Sequence, residues 1–223
     1  MMAPLPCGLA IHATSSQLGL ALGNRAELVR AQTWDLGRDL SASLHYHLAA
    51  LLAPQTWSDL AWLAVARGPG SFTSTRISLV TARTLAQQLD CPLFALSSLA
   101  TYAWSQRTSL RDAARSRLSP EQPLAVLLPA QRGQLFVAGY QLQTEPEGLL
   151  TLYPEQALTP AAWQEQRATW PPETLELRAP EALGFTAPAL LDLAARAYQA
   201  GDRPPWFRAL PFYGQHPVTN HPG

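Results

Sequence analysis

The apolar positions of this chain fall into two series of strands and helices that begin alike. "CGLAIHATSSQLGLALGNRAELVRAQTW" alternates and pauses so as to predict strands at Cys7–His12, Leu18–Leu22 and Ala26–Gln32, with a tight "GN" turn making the last two a hairpin. Leu40, Leu44, Leu48, Leu51 and Leu52 then recur at helical spacing. "LAWLAVA" reads as a buried strand, Thr73–Leu89 as a helix and "PLFALS" as another strand. "SSLATYAWSQR" opens a helix capped by Ser97 or Ser98. A meander followed by strand–helix crossovers predicts a mixed sheet covered by helices.

The polar stretch "RDAARSRLSPEQP" interrupts this order and marks a boundary. It suggests a first domain over 1–110, a linker over 111–123 and a second domain over 124–223. After it the opening pattern returns. "LAVLLPA" and "QLFVAGYQL" pair through a "QRG" turn, and "LLTLYP" is a third strand. "TPAAWQEQ" is a helix with Thr159 as its cap and Pro160 at its first position. "TAPALLDLAARAYQAG" is a last helix, capped by Thr186 and closed by Gly201. The proline-rich stretches 170–185 and beyond 203 show no period.

Composition narrows the chemistry. Charged residues make up 14% of the chain and the formal net charge is zero, so nothing draws it broadly to nucleic acid or an acidic membrane. So little charge gives weak self-repulsion and favours a stable partner. All 16 basic residues are arginine, which excludes a lysine-dependent phosphate loop, a Schiff base and a lysine base. Cys7 and Cys91 have no CxxC spacing, and neither a signal peptide nor a long apolar span is visible. A cytoplasmic, reducing compartment is the expectation.

Candidate sites are few. "ARGPGSFTSTRISLV" places a glycine-rich turn before a helix, where free N–H groups could hold phosphate. A capped strand-to-helix turn, with Ser71 or Thr73 as cap, is the competing reading. It is favoured because lysine, GxGxxG spacing and a following acidic residue are all missing. On the helix, Arg76 and Arg83 share a face, while Ser74, Ser78, Thr81, Leu85 and Gln88 form a stripe and Ile77, Leu79, Val80, Ala82 and Leu89 supply apolar surface. Such a helix is expected to be covered on more than one side, by the second domain or by another chain. His45 and His47 stand two apart on a helix and cannot easily share one ion. His216 and His221 have no acidic neighbour. Arg107, Arg111, Arg115 and Arg117 form a basic run that reads as a solvated linker face. No Ser/His/Asp set, metal cluster or cofactor motif emerges.

"GPGSFTSTRISLVTARTLAQQLDCPLFALSSLATYA" closely resembles the signature of the TsaB (YeaZ) family, partner subunits in bacterial threonylcarbamoyl-adenosine tRNA modification. The likeness runs from about Leu60 to Ala103. "LAIHATSSQLGLAL" and "RGQLFVAGY" are similar to the openings of the family's two halves, and "LPFYG" to its closing segment. The resemblance implies an α/β fold of two RNase H-like domains of the actin and sugar-kinase type, the second degenerate. It implies a non-catalytic scaffold that binds TsaD, the subunit that carries metal and modifies adenosine 37. A TsaE-like ATPase joins them, tRNA is met indirectly, and the subunit binds no cofactor. It further implies that Gly68, Pro69, Gly70, Ser71, Phe72, Thr73, Ser74, Ile77, Ser78, Thr81, Leu85 and Gln88 belong to the packing surface for TsaD, or for a second copy of the chain.

The sequence departs from the family pattern at five positions. His12 replaces the usual Asp of the first loop, Ser74 a Gly, and Pro129, Gln131 and Gln134 replace Asp, Arg and Glu. Lost charge at four of them, His12, Pro129, Gln131 and Gln134, argues against a nucleotide or metal site. The alternatives are a degenerate, self-associating homologue without the TsaD role, and an ATP-dependent or peptidase-like enzyme of the same superfamily.

Overall fold

The computed structural model describes residues 6–25, 27–114 and 122–214. Strands β1 (Cys7–His12), β2 (Gln17–Gly23) and β3 (Leu28–Asp35) form an antiparallel meander, and β4 (Leu60–Ala66) and β5 (Leu93–Leu96) add in parallel beyond β1. The order β3-β2-β1-β4-β5 is that of an RNase H-like sheet. Strands β6 (Pro123–Pro129), β7 (Leu135–Thr144), β8 (Glu147–Leu158) and β9 (Leu175–Arg178) repeat its first four strands in the order β8-β7-β6-β9. Here too the third and second strands run antiparallel and the last joins β6 in parallel. The fold is thus the expected pair of mixed sheets flanked by helices.

Burial explains which runs became central. β1, β4 and β6 are nearly continuous apolar sequences and lie buried on both faces, whereas β3, at an edge, is largely exposed. Helices α1 (Leu40–Leu52) and α2 (Phe72–Leu89) cover one face of the first sheet, placing Leu44, Leu48, Leu79 and Ala82 against Leu9, Ile11, Leu20 and Val65. Its other face is covered by α6 (Ala187–Gln199), whose Leu190, Leu191 and Ala194 meet Ala10, Ala21, Trp62 and Ala64. Conversely α3 (Ser98–Ser105) sets Leu99, Ala103 and Trp104 on Leu124, Val126 and Phe136 of the second sheet. The far face of that sheet is closed by Trp163 of α5 (Pro160–Arg167) and by Trp170. Each sheet is built from one continuous stretch of the chain, but α3 and α6 each cover the sheet built from the other stretch. A mixed sheet needs cover on both faces, and this exchange supplies it.

Several local expectations are corrected. The segment expected as a polar linker begins as helix α4 (Arg107–Ala114). Its arginines are half-buried and paired rather than a solvated face: Arg107 pairs with Asp192 of α6 at 3.1 Å and Arg111 with Glu147 at 2.5 Å. Arg196 pairs with both of those carboxylates, at 3.0 and 2.6 Å. Opposite charges brought in from another helix and a strand end turned a basic run into a network. Arg115, Arg117, His216 and His221 lie outside the described residues. The strand read as "LLTLYP" continues through Pro154 to Leu158, which an edge strand tolerates because one side of it needs no N–H. β9 arises inside the stretch that showed no period, its four residues held by β6. β3 lies two residues later than expected at its start and ends at Asp35. Ser97, not Ser98, caps α3, accepting from Leu99 N and Ala100 N. Thr159 caps α5 through Ala162 N. Thr186 precedes α6 but caps nothing: its hydroxyl donates to Leu183 O within a tight turn.

Candidate functional site

Two features meet at the glycine-rich turn: a cleft between the halves and the outer face of α2. The turn leaves the end of β4 and runs under the C-terminal segment. Gly68 has φ +105, and a side chain there would strike Phe212 O; only glycine fits this corner without strain. Ser71 N donates to Thr14 O at 2.7 Å, and a Cβ at Gly70 would collide with the same carbonyl. Ser71, not Thr73, is the helix cap: its Oγ accepts from Ser74 N at 3.4 Å and lies 3.1 Å from Ser74 Oγ. The turn is thus locked to the first loop by backbone bonds.

The cleft holds about 590 Å³ and is lined by Thr14, Ser15 and Ser16 on one side. Gly70, Ser71, Phe72, Pro129, Gln131, Arg132, Glu181 and Tyr213 also line it, with Leu128, Ala130 and Phe136 as further apolar surface. Hydroxyls are the commonest polar groups of its lining, and its charged lining groups, Arg132 and Glu181, are exposed. His12, standing where the family carries Asp, is fully buried at the end of β1, and neither ring nitrogen has a partner. Burial alone drives its pKa down to about 3, so the ring is neutral and offers no carboxylate chemistry. Among the described residues no group of three or more His, Cys, Asp or Glu could hold a metal ion.

The structure divides the expected stripe on α2. Gly68 and Pro69 are buried, as are Ser74 and Ser78, the latter donating to Thr75 O at 3.2 Å inside the chain. Ile77, Thr81 and Leu85 are half-buried, and Ser71, Phe72, Thr73 and Gln88 are exposed. The helix packs on α1 and the first sheet through Leu79, Ala82 and Ala86, so its own chain covers one side only. The open row is instead Thr73, Arg76, Val80, Thr84 and Gln87, spaced three and four apart. Val80 is 60% exposed at its centre. Arg76 lies over Phe72 at 4.9 Å and Arg83 over Trp206 at 5.7 Å, which holds both guanidinium groups against aromatic rings. Phe72 in turn packs at a tilt against Tyr213, with ring centroids 4.5 Å apart. Tyr213, Trp206 and the exposed Phe207 and Leu210 belong to the unassigned tail, and only "LPFYG" pointed to it.

The comparisons with known proteins agree with this geometry. A family model described as "TsaD: tRNA N6-adenosine threonylcarbamoyltransferase" matches residues 41–190. The chain is 34% identical over 163 residues to "tRNA threonylcarbamoyladenosine biosynthesis protein TsaB" of Bacillus subtilis. That match covers 70% of this chain, which spans 64% of the length of the relative. Among solved structures, "YeaZ from Pseudomonas aeruginosa" superposes with a TM-score of 0.72 at 24% identity. It covers 94% of this chain and all of the other. A second structure, an uncharacterized protein with similarity to peptidase YEAZ from Pseudomonas aeruginosa, gives 0.73 at 23% identity, covering 95% and 100%. Both share the two-sheet fold described above. The fold, the turn and the family match define a protein of the TsaD and TsaB group. Within it, the chain belongs to the TsaB (YeaZ) family. None of the described helices is long and apolar enough to cross a membrane.

Proposed function

We propose that this chain is a non-catalytic cytoplasmic subunit that binds a TsaD-like transferase and so supports threonylcarbamoylation of adenosine 37 in tRNA. The observation that carries the reading is the outer face of α2. It is an 18-residue helix with no acidic residue and an exposed valine at the centre of a polar, weakly charged row. Such a surface suits packing against another helix better than contact with nucleic acid. Phe72, Thr73 and Gln88 of the expected interface share this exposure, while Ser74 and Ser78 act from beneath by fixing how the helix sits. The neutral, buried His12 and the hydroxyl-lined cleft support assignment of the chemistry to the partner. A TsaE-like ATPase joins the assembly in this reading, and tRNA is met through the partner.

A second reading, self-association through the same helix, is favoured by one feature. Arg76 and Asp90 lie equally spaced on either side of Arg83. Two copies packed antiparallel about Arg83 would pair Arg76 with Asp90 at both ends, against the repulsion of the two Arg83 groups at the centre. Reconstitution separates these readings. With the TsaD-like subunit, its ATPase and tRNA, omission of this chain is expected to slow modification by at least about tenfold. The chain alone is expected to modify nothing. Transfer by the isolated chain, or an unchanged rate without it, would overturn the proposal.

A further inference from the structure

A second cavity, of about 280 Å³, lies on the other side of the Arg67 corner, between the two halves. Its polar groups come from four places: Arg67 just after β4, Ser97 before α3, Tyr140 on β7, and Thr151 and Glu155 on β8. Leu96, Ala100, Leu149 and Leu193 form its apolar walls. The volume lies just below the roughly 300–1,000 Å³ of drug-sized sites. A single small metabolite fits; a nucleotide does not.

The hydrogen-bond capacity left over in this cavity defines its ligand. Arg67 uses Nη2 alone to reach both oxygens of Glu155, at 2.8 and 3.0 Å. Its Nη1 and Nε form no hydrogen bond among the described residues, although the side chain is only 29% exposed. Ser97 Oγ already accepts from Leu99 N at 3.1 Å and Ala100 N at 3.3 Å. Ser97 Oγ and Tyr140 Oη lie 3.2 Å apart, a pair in which either hydroxyl could donate; with both Ser97 lone pairs taken by the cap, we assign the donated hydrogen to Ser97. That leaves the phenol's own hydrogen without an acceptor among the described residues, on a side chain 1% exposed. Burial raises the Tyr140 pKa well above its usual range, so the hydrogen stays in place. A buried donor of this kind calls for an acceptor.

The cavity therefore offers, side by side, an uncommitted guanidinium edge, a phenol O–H and a carboxylate, over an apolar wall. Arg67 and Glu155 cancel in charge, so a ligand with net charge would bring an unpaired ion into a half-buried site. A zwitterion would not. We propose that the cavity binds a free apolar α-amino acid of about leucine size. The ligand carboxylate lies on the free edge of Arg67 and the Tyr140 hydroxyl, its ammonium on Glu155, and its side chain against Leu96, Leu149 and Leu193. Because Arg67 leads directly into the Gly68–Ser71 turn, an occupied site also braces the base of α2. The proposal does not depend on the role assigned to α2.

Calorimetric titration of the full chain with L-leucine tests it, beside leucinamide and N-acetyl-leucine, which lack the carboxylate and the ammonium. Saturable binding of L-leucine is expected, weakened at least about tenfold in either analogue, since each loses a charge-assisted bond. Glu155→Gln removes the ammonium partner and Ala100→Leu fills the cavity; each is expected to weaken binding as strongly, with folding checked by circular dichroism. The analogue series on the wild-type chain decides the matter even where a variant fails to fold. No saturable binding of L-leucine, or equal binding of all three compounds, would overturn the proposal.

Discussion

His12 shows how one residue changes what a site can do. It ends the central strand β1, pairs across to Gly19 on β2, and is sealed from solvent. With a folded pKa near 3 against 6.5 unfolded, it refuses a proton that the unfolded chain accepts. Above pH 6.5 neither state carries that proton and the native state is favoured in full. As pH falls below 6.5 the unfolded chain gains the proton, and stability drops by about 1.4 kcal/mol per pH unit until the folded pKa is reached. Urea unfolding at about pH 7.5 and pH 5 is expected to show this loss in the wild type and its near disappearance in His12→Leu. Equal pH slopes in the two proteins would mean that His12 is not the group responsible.

At the scale of elements, the contacts that fix the fold differ in how far the sequence displays them. Every leucine of the α1 pattern, from Leu40 to Leu52, is buried as its spacing required, because leucine commits a helix to one orientation. The orientation of α2 was harder to see. Serine and threonine fit a core or a surface, so the stripe through Ser74 and Ser78 did not by itself say what covers it; in the fold both are buried within their own chain. Strand β9 had no local signal at all: its four residues become a strand only because β6 lies beside them. Gly19 makes a similar long-range demand. A Cβ there would fall 1.7 Å from the carbonyl oxygen of Gly184, in the turn leading to α6. Gly19→Ala must push β2 away from that turn, and a loss of about 3 kcal/mol is expected from denaturant unfolding. A change within about 0.5 kcal/mol would show that the turn yields freely.

Across the whole molecule, the two halves are joined by exchange as well as by contact. α3 sits on the second sheet and α6 on the first, and the Asp192–Arg196–Glu147 network ties α4, α6 and the start of β8 together. Repeated strand order made the two-sheet fold legible from the sequence, and the turn from Gly68 to Ser71 made the family legible. The cleft and the Arg67 cavity were not. Their lining comes from segments far apart in the chain, such as Thr14 with Tyr213, or Arg67 with Glu155, and no local pattern couples them. On α2 the most exposed apolar side chain is Val80, 60% exposed at the centre of its open row.

That row is the central claim, and light scattering of this chain mixed with its TsaD-like partner tests it most directly. Val80→Arg places a charge on an exposed position and should leave folding unchanged to within about 0.5 kcal/mol. The wild type is expected to form a stable heterodimer, and the variant to lose it with at least about tenfold weaker binding. A heterodimer that forms equally well with Val80→Arg would place the interface elsewhere and contradict the account.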